Sequence, residues 1–151
     1  MNKQKLTLEQ TDKKLSQFKN LNEEIPQGGW IHSIRISLNM TLRQLAKRLN
    51  ITVASAKEIE DREKRGSISI NSLRKVATAV NMKFVYGFIP KADSLEQMIE
   101  KRALELAKEI VMRTSNTMAL EDQENVRERI AKAIQDKKEE IIRKMPRYLW
   151  D

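Results

Sequence analysis

The sequence predicts a mainly α-helical protein. Its 151 residues include only 4 Gly and 3 Pro, too few for the turns of a many-stranded β-fold. Apolar residues recur at helical spacing along most of the chain, and helix-capping residues stand directly before several of these runs. Hydrophobic residues make up 40% of the chain, which is enough for a core, and the 33% charged residues predict a well-solvated surface.

The composition also excludes several classes of protein. Cysteine is absent, which excludes disulfides, thiol catalysis and cysteine-based zinc sites. The start MNKQKLTLEQ lacks the apolar segment of a secretory signal, and no apolar run approaches the ~18 residues of a membrane helix. We therefore expect a cytoplasmic protein without a membrane partner. The only histidine is His32, and no catalytic, cofactor or metal pattern occurs, so we expect no enzyme and no cofactor.

Positive charge is concentrated in the middle of the chain. Residues 29–91 contain 12 Lys/Arg and 4 Asp/Glu, a net charge of +8. Residues 1–28 carry a net charge of +1, and residues 92–151 carry −1. A basic module between near-neutral flanks is typical of a protein that binds a polyanion.

Residues 1–28 are expected to form a helical arm and a linker. TLEQ at residues 7–10 fits a capping box, and Leu8 and Leu15 follow at helical spacing, which predicts a helix over about residues 8–21. A proline and two glycines then end the helix.

Residues 29–82 predict a domain of short helices. The first runs from Trp30 to Leu38, and the next begins at Thr41, where Gln44 completes a capping box. That helix ends at Asn50, because asparagine is the non-glycine residue that best tolerates a left-handed conformation. Two further helices begin at Thr52 and Ser69.

The helices on either side of Asn50 have the spacing of a helix-turn-helix. The first needs a small residue where the second crosses it, and Ala46 provides one. The second, over residues 52–62, turns Ala56 and Ile59 inward, so its N-terminal part is placed to enter the major groove of DNA. A generic amphipathic hairpin that binds nothing is the alternative, but it does not explain the basic charge of the segment.

The segment WIHSIRISLNMTLRQLAKRLNITVASAKEIE and the helix around Leu73 resemble an Xre-type, lambda-repressor-like DNA-binding domain over about residues 29–82. Three stretches, GWIHSIRISLNMTLRQLAKRLN, RGSISINSLRKVATAVNMKFVYGFIP and NTMALEDQ, resemble the bacterial family called mobile mystery protein A. Its members are small helix-turn-helix proteins that are typically encoded beside a Fic-domain protein, mobile mystery protein B. We therefore expect a regulator that binds double-stranded DNA and represses its own operon.

Base reading is expected from the N-terminal half of the second helix. Val53 and Ala54 occupy positions that are often polar in the Xre pattern, and here they can meet only a thymine methyl group. Lys57 has the reach to donate to a guanine. Glu58 either accepts from a cytosine or pairs with Arg62 one turn later. Because the start of the helix is apolar, we expect DNA binding to depend more on phosphate contacts and DNA shape than on hydrogen bonds to bases.

Phosphate contacts are expected on both sides of that helix. Thr52 and the N–H groups of the first turn suit a phosphate, and Arg43 suits the flanking backbone. Further basic residues follow the helix. The alternative for each of these residues is a solvated surface charge that binds nothing. The full set of candidate DNA-binding residues is Arg43, Gln44, Thr52, Val53, Ala54, Ser55, Lys57, Glu58, Arg62, Lys64 and Arg65.

Residues 83–90, KFVYGFIP, alternate aromatic with other residues and end at a proline, which predicts a short β-strand. One recognition helix reads few base pairs, so we expect a homodimer on two half-sites. A lone strand leaves backbone groups unpaired, and a second copy could satisfy them. The dimer contact would involve Phe84, Val85, Tyr86 and Phe88; the alternative is an extended connector packed on its own domain.

Residues 91–151 predict a near-neutral helical hairpin that strengthens a dimer or binds another protein. The family resemblance implies a Fic-domain partner, and hence an antitoxin-like role as a second class of function. Inhibitors of Fic proteins carry a helix motif of Ser or Thr, three residues, Glu, and then Gly or Asn. Thr117 and Glu121 match its first part, whereas Asp122 stands at the last position.

Replacing Val85 with proline tests the strand-mediated dimer. Proline removes a backbone N–H donor from the middle of the segment, so we expect the chain to become monomeric. The control Val85→Thr keeps the N–H group and the β-branched shape, and it should stay dimeric. Light scattering measures the molar mass, and a proline variant with an unchanged dimer mass would end the idea.

Overall fold

A computed structural model describes residues 2–21, 24–115 and 123–151 of the chain. In these ranges there are seven α-helices, one short 3₁₀-helix and no β-strand, so the mainly helical prediction is confirmed. None of the helices described has the length and apolar character needed to cross a membrane. The elements are α1 (Lys3–Ser16), α2 (Trp30–Ser37), α3 (Leu42–Leu49), α4 (Val53–Arg65), α5 (Ile70–Ala79), α6 (Leu95–Ser115), α7 (Gln123–Lys144) and the 3₁₀-helix Arg147–Trp150.

The chain divides into two compact units, which we name by their place in the sequence. The central unit is Leu21–Gly87, and the terminal unit combines Met1–Asn20 with Phe88–Asp151. In the predicted division residues 1–28 stand apart as an arm. In the structure, α1 belongs to the same unit as α6 and α7.

Asp12 holds α1 in the terminal unit. Its carboxylate accepts hydrogen bonds from the backbone N–H of Leu95 at 2.7 Å and of Glu96 at 3.2 Å, in the first turn of α6. A carboxylate at this position satisfies donors that have no partner within the helix and complements the helix dipole. Leu8 of α1 also packs against the hydrophobic core of this unit.

The core of the terminal unit lies between α6, α7 and the 3₁₀-helix. Arg102 donates a hydrogen bond to the carbonyl of Leu149 at 2.6 Å and another to the carbonyl of Asp151 at 2.8 Å. These two bonds hold the 3₁₀-helix against α6, where the Leu149 side chain is fully buried. The buried residues of this core are Ile99, Ala103, Leu106, Ala107, Ile141 and Leu149.

The central unit consists of α2 to α5 around a small core of Ile31, Leu45 and Val76. Three of its helices are followed by an asparagine with a positive φ, namely Asn39, Asn50 and Asn81, and α4 is followed by Gly66. Asparagine tolerates the left-handed conformation because its short polar side chain can bond locally. A chain with 4 glycines can therefore still end several helices sharply.

A buried ion pair joins α2 to α4. The guanidinium of Arg35 donates to the carboxylate of Glu60, whose side chain is only 3% exposed, and also to the carbonyl of Met40 at 3.0 Å. The Nδ1 atom of His32 lies 3.2 Å from the same carboxylate. Throughout the described ranges, every buried side-chain nitrogen and oxygen has a hydrogen-bond partner, as a polar group in a core requires.

Glu63 of α4 caps the N-terminus of α2. Its two carboxylate oxygens accept from the N–H of Ile31 at 2.7 Å and of Trp30 at 3.1 Å. Gly29 precedes the helix with a φ of 86°, and a Cβ atom there would lie 2.7 Å from Oε1 of Glu63. Glycine is favoured at this position by its positive φ, and a Cβ atom would also displace the capping carboxylate of Glu63.

Residues 83–90 have no regular secondary structure, so the predicted β-strand is not formed in the single chain. A strand needs a neighbour for its backbone N–H and C=O groups, and the described part of the chain contains no second strand. The rings of Phe84 and Tyr86 stack with their centroids 5.9 Å apart. Val85 is 62% exposed and Phe88 is 79% exposed.

Replacing Glu60 with leucine should destabilise the central unit by about 3–5 kcal/mol, because Arg35 is then a buried charge without its partner. The double change Arg35→Met with Glu60→Leu removes both charges and should recover most of the loss. Urea unfolding is followed through Trp30 fluorescence in a Trp150→Phe background, so that the signal comes from the central unit.

The control for this experiment is Asp61→Leu, which removes the neighbouring, more exposed carboxylate of the same helix. Its ion pair with Lys57 lies on the surface, so the change should alter the free energy of unfolding by less than about 1 kcal/mol. Equal losses for Glu60→Leu and Asp61→Leu would show that the buried pair has no special role.

Candidate nucleic-acid interface

The α3–α4 hairpin forms through local hydrogen bonds that its sequence encodes. The N–H of Gln44 donates to Oγ1 of Thr41 at 3.1 Å, and the N–H of Thr41 donates to Oε1 of Gln44 at 2.8 Å. This is the predicted capping box, and it is confirmed. α3 then ends at Asn50, which takes the left-handed conformation with a φ of 57° and a ψ of 42°, also as predicted.

The N-terminus of α4 exposes two unused hydrogen-bond donors. Thr52 accepts from the N–H of Ser55 at 3.0 Å through its hydroxyl and from the N–H of Ala56 at 3.0 Å through its carbonyl. The N–H groups of Val53 and Ala54 have no acceptor among the described residues. Free N–H groups at the positive end of a helix dipole are suited to bind a phosphate.

The first three residues of α4 present small, uncharged side chains to solvent. Val53 is 44% exposed, and Ala54 and Ser55 are also exposed. The hydroxyl of Thr52 donates to Oγ of Ser55 at 2.8 Å, which leaves the Ser55 hydroxyl hydrogen available for another acceptor. This surface combines two apolar groups with hydroxyl and backbone donors.

Lys57 and Glu58 follow on the same helix, and both are already paired. Nζ of Lys57 lies 3.2 Å from Oδ1 of Asp61. Oε1 of Glu58 lies 3.0 Å from Arg65 and 3.3 Å from Arg62. Of the two alternatives for Glu58, the structure therefore shows local pairing, and the partners include Arg65 as well as Arg62.

The two arginines lower the pKa of Glu58 below its ordinary value of 4.5. The hydrogen bond from Arg65 contributes most, and the hydrogen bond from Arg62 follows. The carboxylate therefore stays ionised at lower pH than a free glutamate, and it neutralises part of the charge that these arginines could offer to phosphates.

All four carboxylates of residues 29–87 lie on α4, and each has a partner within the central unit. Glu60 pairs with Arg35, and Glu63 caps α2. With four basic residues of its own, α4 has no net charge. Because Glu60 pairs with Arg35 of α2, Lys64 of α4 is left without a carboxylate, and the other unneutralised cations of the central unit lie on α3, on α5 and after α5.

The residues with this unbalanced charge are exposed, and none of them has a carboxylate partner in the described ranges. Arg43 and Lys47 lie one turn apart on the outer side of α3, and Arg74 and Lys75 lie on α5. Of these four, only Arg43 is among the candidates identified from sequence. The full set is Arg43, Lys47, Arg48, Lys64, Arg74, Lys75 and Lys83.

The structure thus divides the candidate DNA-binding residues into two groups. Thr52, Val53, Ala54 and Ser55 form one continuous exposed stretch at the start of α4, whereas Arg62 and Arg65 are held by Glu58. Gln44 is engaged in the capping box, and Arg43 and Lys64 are exposed. The sequence analysis did not select Lys47, Arg74 and Lys75. They could have been found from the sequence, because each is a basic residue on a helix whose apolar side was identified, and each lies off that side.

The predicted Fic-partner residues Thr117 and Glu121 lie outside the described residues. Among the residues that the structure describes, no cluster of three or more His, Cys, Asp or Glu side chains could hold a metal ion. Comparison with models of known protein families, with curated proteins and with solved structures gives no match to this chain.

Titration of Glu58 checks the ion-pair arrangement on α4. Replacing Arg65 with alanine removes the larger cause of the lowered pKa, so the pKa of Glu58 should rise more than after Arg62→Ala. The side-chain carboxyl signal in an NMR titration measures both values. Because the pKa is lowered by folding, the stability from this pairing is present above the ordinary pKa and disappears as the pH falls through the lowered value. A larger rise with Arg62→Ala would contradict the geometry.

Proposed function

We propose that this chain is a sequence-specific DNA-binding regulator of the Xre type, in which the α3–α4 hairpin acts as a helix-turn-helix. α4 enters the major groove through its N-terminal half, and the hairpin belongs to a regulator that represses its own operon. The resemblance to the mobile mystery protein A family supports the same proposal.

The observation that carries this proposal is the exposed, uncharged start of α4 in a unit whose cations on α3 and α5 no carboxylate neutralises. Val53, Ala54 and Ser55 offer a small surface that fits against base edges, and the two free N–H groups suit a phosphate at the groove edge. Arg43 and Lys47 on the preceding helix are available for the flanking phosphates. The positive charge also raises the rate at which the protein meets DNA.

Direct base reading relies on few groups. Val53 and Ala54 can contact a thymine methyl group, and Ser55 retains a hydroxyl donor. Lys57 can reach a guanine after its ion pair with Asp61 opens, which is inexpensive because both side chains are more than a third exposed. Glu58 stays with Arg62 and Arg65, so sequence-dependent DNA shape accounts for the remaining selectivity, and phosphate contacts supply affinity.

The regulator acts as a homodimer in this proposal. The exposure of Val85, Tyr86 and Phe88 supports it, because these are large apolar side chains at neighbouring positions that the single chain leaves largely uncovered. Pairing of residues 83–90 with a second copy would cover them and satisfy the backbone groups of the segment. The Fic-domain partner remains a second proposal that rests on the sequence resemblance.

A gel-shift titration on the DNA upstream of the coding region, against scrambled DNA at two salt concentrations, tests the proposal. We expect selective binding to the upstream DNA and weaker binding at the higher salt concentration, because phosphate contacts release counterions. Equal and feeble binding to both DNAs would leave the hairpin without this function and would make the C-terminal helices the main interaction surface.

Single substitutions then separate base reading from phosphate binding. Lys57→Ala should change the sequence preference across a panel of base substitutions, whereas Lys64→Ala should weaken all sequences about equally. Parallel losses in both variants would show that Lys57 does not reach base edges. The double variant Arg43→Ala with Lys47→Ala should reduce the slope of log affinity against log salt by about 1 to 2.

The control for these variants is Lys132→Ala, which removes an exposed lysine from α7, in the near-neutral segment 92–151. It lowers the net charge by the same amount as a single substitution in the central unit. Unchanged affinity and salt dependence are expected, and a loss as large as that of Lys64→Ala would mean that net charge alone determines binding.

A further inference from the structure

An open groove of about 550 Å³ lies in the central unit between α3, α4 and α5. Its apolar floor includes Leu49 and Val76 on the flanking helices, Ile51 in the turn and Ile59 on α4. Leu49, Ile51 and Ile59 each remain partly exposed, so the floor is not covered by the chain itself. A volume of this size is typical of a site that binds a small ligand or several side chains of a peptide.

The rim of the groove is exclusively basic among its charged residues. Arg48, Arg74 and Lys75 line it, no carboxylate does, and none of the three has an acidic partner in the described part of the chain. Arg48 donates to the carbonyl of Ala79 at 3.2 Å, which fixes its guanidinium at the C-terminal end of α5. The other N–H donors of this guanidinium are free to meet a carboxylate.

The groove is separate from the surface proposed for base reading. None of Val53, Ala54, Ser55 and Lys57 lines it, and neither Arg43 nor Lys47 does. DNA could use the cations of the rim, but the phosphate backbone has nothing to cover the apolar floor. A ligand that matches both the apolar floor and the basic rim has apolar side chains on one side and carboxylates beside them.

We propose that this groove docks an acidic amphipathic helix from another protein. Such a helix places apolar side chains at helical spacing on the floor, as in other helix-in-groove complexes. Its glutamates or aspartates meet Arg48, Arg74 and Lys75 at the rim, where arginine can bind a carboxylate through two parallel hydrogen bonds. The apolar contact supplies affinity, and the three cations select for an acidic partner. The docking site lies outside the surface proposed for base reading.

Fluorescence anisotropy with a labelled synthetic peptide tests the proposal on the full chain. The peptide carries leucines at helical spacing and glutamates at most other positions. The double variant Arg74→Glu with Lys75→Glu should bind it about tenfold or more weakly than the native chain, because two attractive contacts become repulsive. The matched control Arg43→Glu with Lys47→Glu changes the net charge equally outside the groove, and it should keep most of the affinity.

Two further probes examine the apolar floor and the position of binding. A peptide with serine in place of each leucine should bind about tenfold or more weakly, since it keeps only the charges. In the native chain, addition of the leucine peptide should shift the amide NMR signals of Ser72 and Thr78 in the groove and leave those of Ala54 and Ser55 unchanged.

Equal losses in the two double variants would overturn the proposal, because binding would then follow net charge only. Equal affinity for the leucine and serine peptides would also overturn it, since the floor would have no role. Displacement of the leucine peptide by saturating duplex DNA would assign the groove to the DNA-contacting surface. Failure of the gel-shift experiment has no bearing on these outcomes, which makes the two proposals separable.

Discussion

The central unit depends on the contacts that α4 makes with α2 through two carboxylates. Glu60 holds Arg35 in the interior, and Glu63, one turn later, caps the first turn of α2. The hydrophobic core of this unit is small, with Ile31, Leu45 and Val76 as its buried apolar cluster. These polar contacts orient α4 against α2, together with the apolar packing of Ala56 and Ile59 in the same unit. Glu60 and Glu63 point toward α2, which leaves the outer side of α4 at its N-terminal end exposed.

The same use of carboxylates determines where the positive charge of the unit is exposed. Every acidic side chain of residues 29–87 belongs to α4 and is occupied there, so no carboxylate is left to neutralise α3 or α5. In the proposed DNA complex this distribution has a physical advantage. The cations of α3 and α5 would attract and position a polyanion through its phosphates, while the start of α4, at Val53, Ala54 and Ser55, carries no charge that would bind every sequence alike.

Local features of the fold were predictable because the sequence encodes them within a few residues. The capping box of Thr41 and Gln44 and the left-handed Asn50 depend on side chains at most a few positions apart. The pair of Arg35 and Glu60 has no such signal, since the residues are 25 positions apart and neither stands in a recognisable local motif. Asp12, which caps α6 across 83 positions, was missed for the same reason.

Two predictions depended on information that a single sequence does not carry. Residues 83–90 have the alternation of a strand, but a strand is defined by its neighbour, and the described chain contains none. The candidate site was predictable in its position at the start of α4. Which of its basic residues are unpaired was harder to predict, because the sequence does not distinguish Arg62 and Arg65 from Lys47. The sequence offered the pair of Glu58 with Arg62 as one of two alternatives, and the structure shows that pair and adds Arg65 to it.

The pairing of Glu58 with Arg62 and Arg65 also affects how the proposed DNA-binding surface would be oriented on DNA. The arginines beside it keep its pKa low, so the pairing persists in the folded protein near neutral pH. The carboxylate and its two arginines carry a net charge of +1, so the middle of α4 offers a phosphate less positive charge than the arginines alone would. In the proposed DNA complex, the unpaired cations of α3 would therefore contact the backbone, and the uncharged N-terminal end of α4 would face the groove. The acidic residues of α4 would then contribute orientation as well as stability.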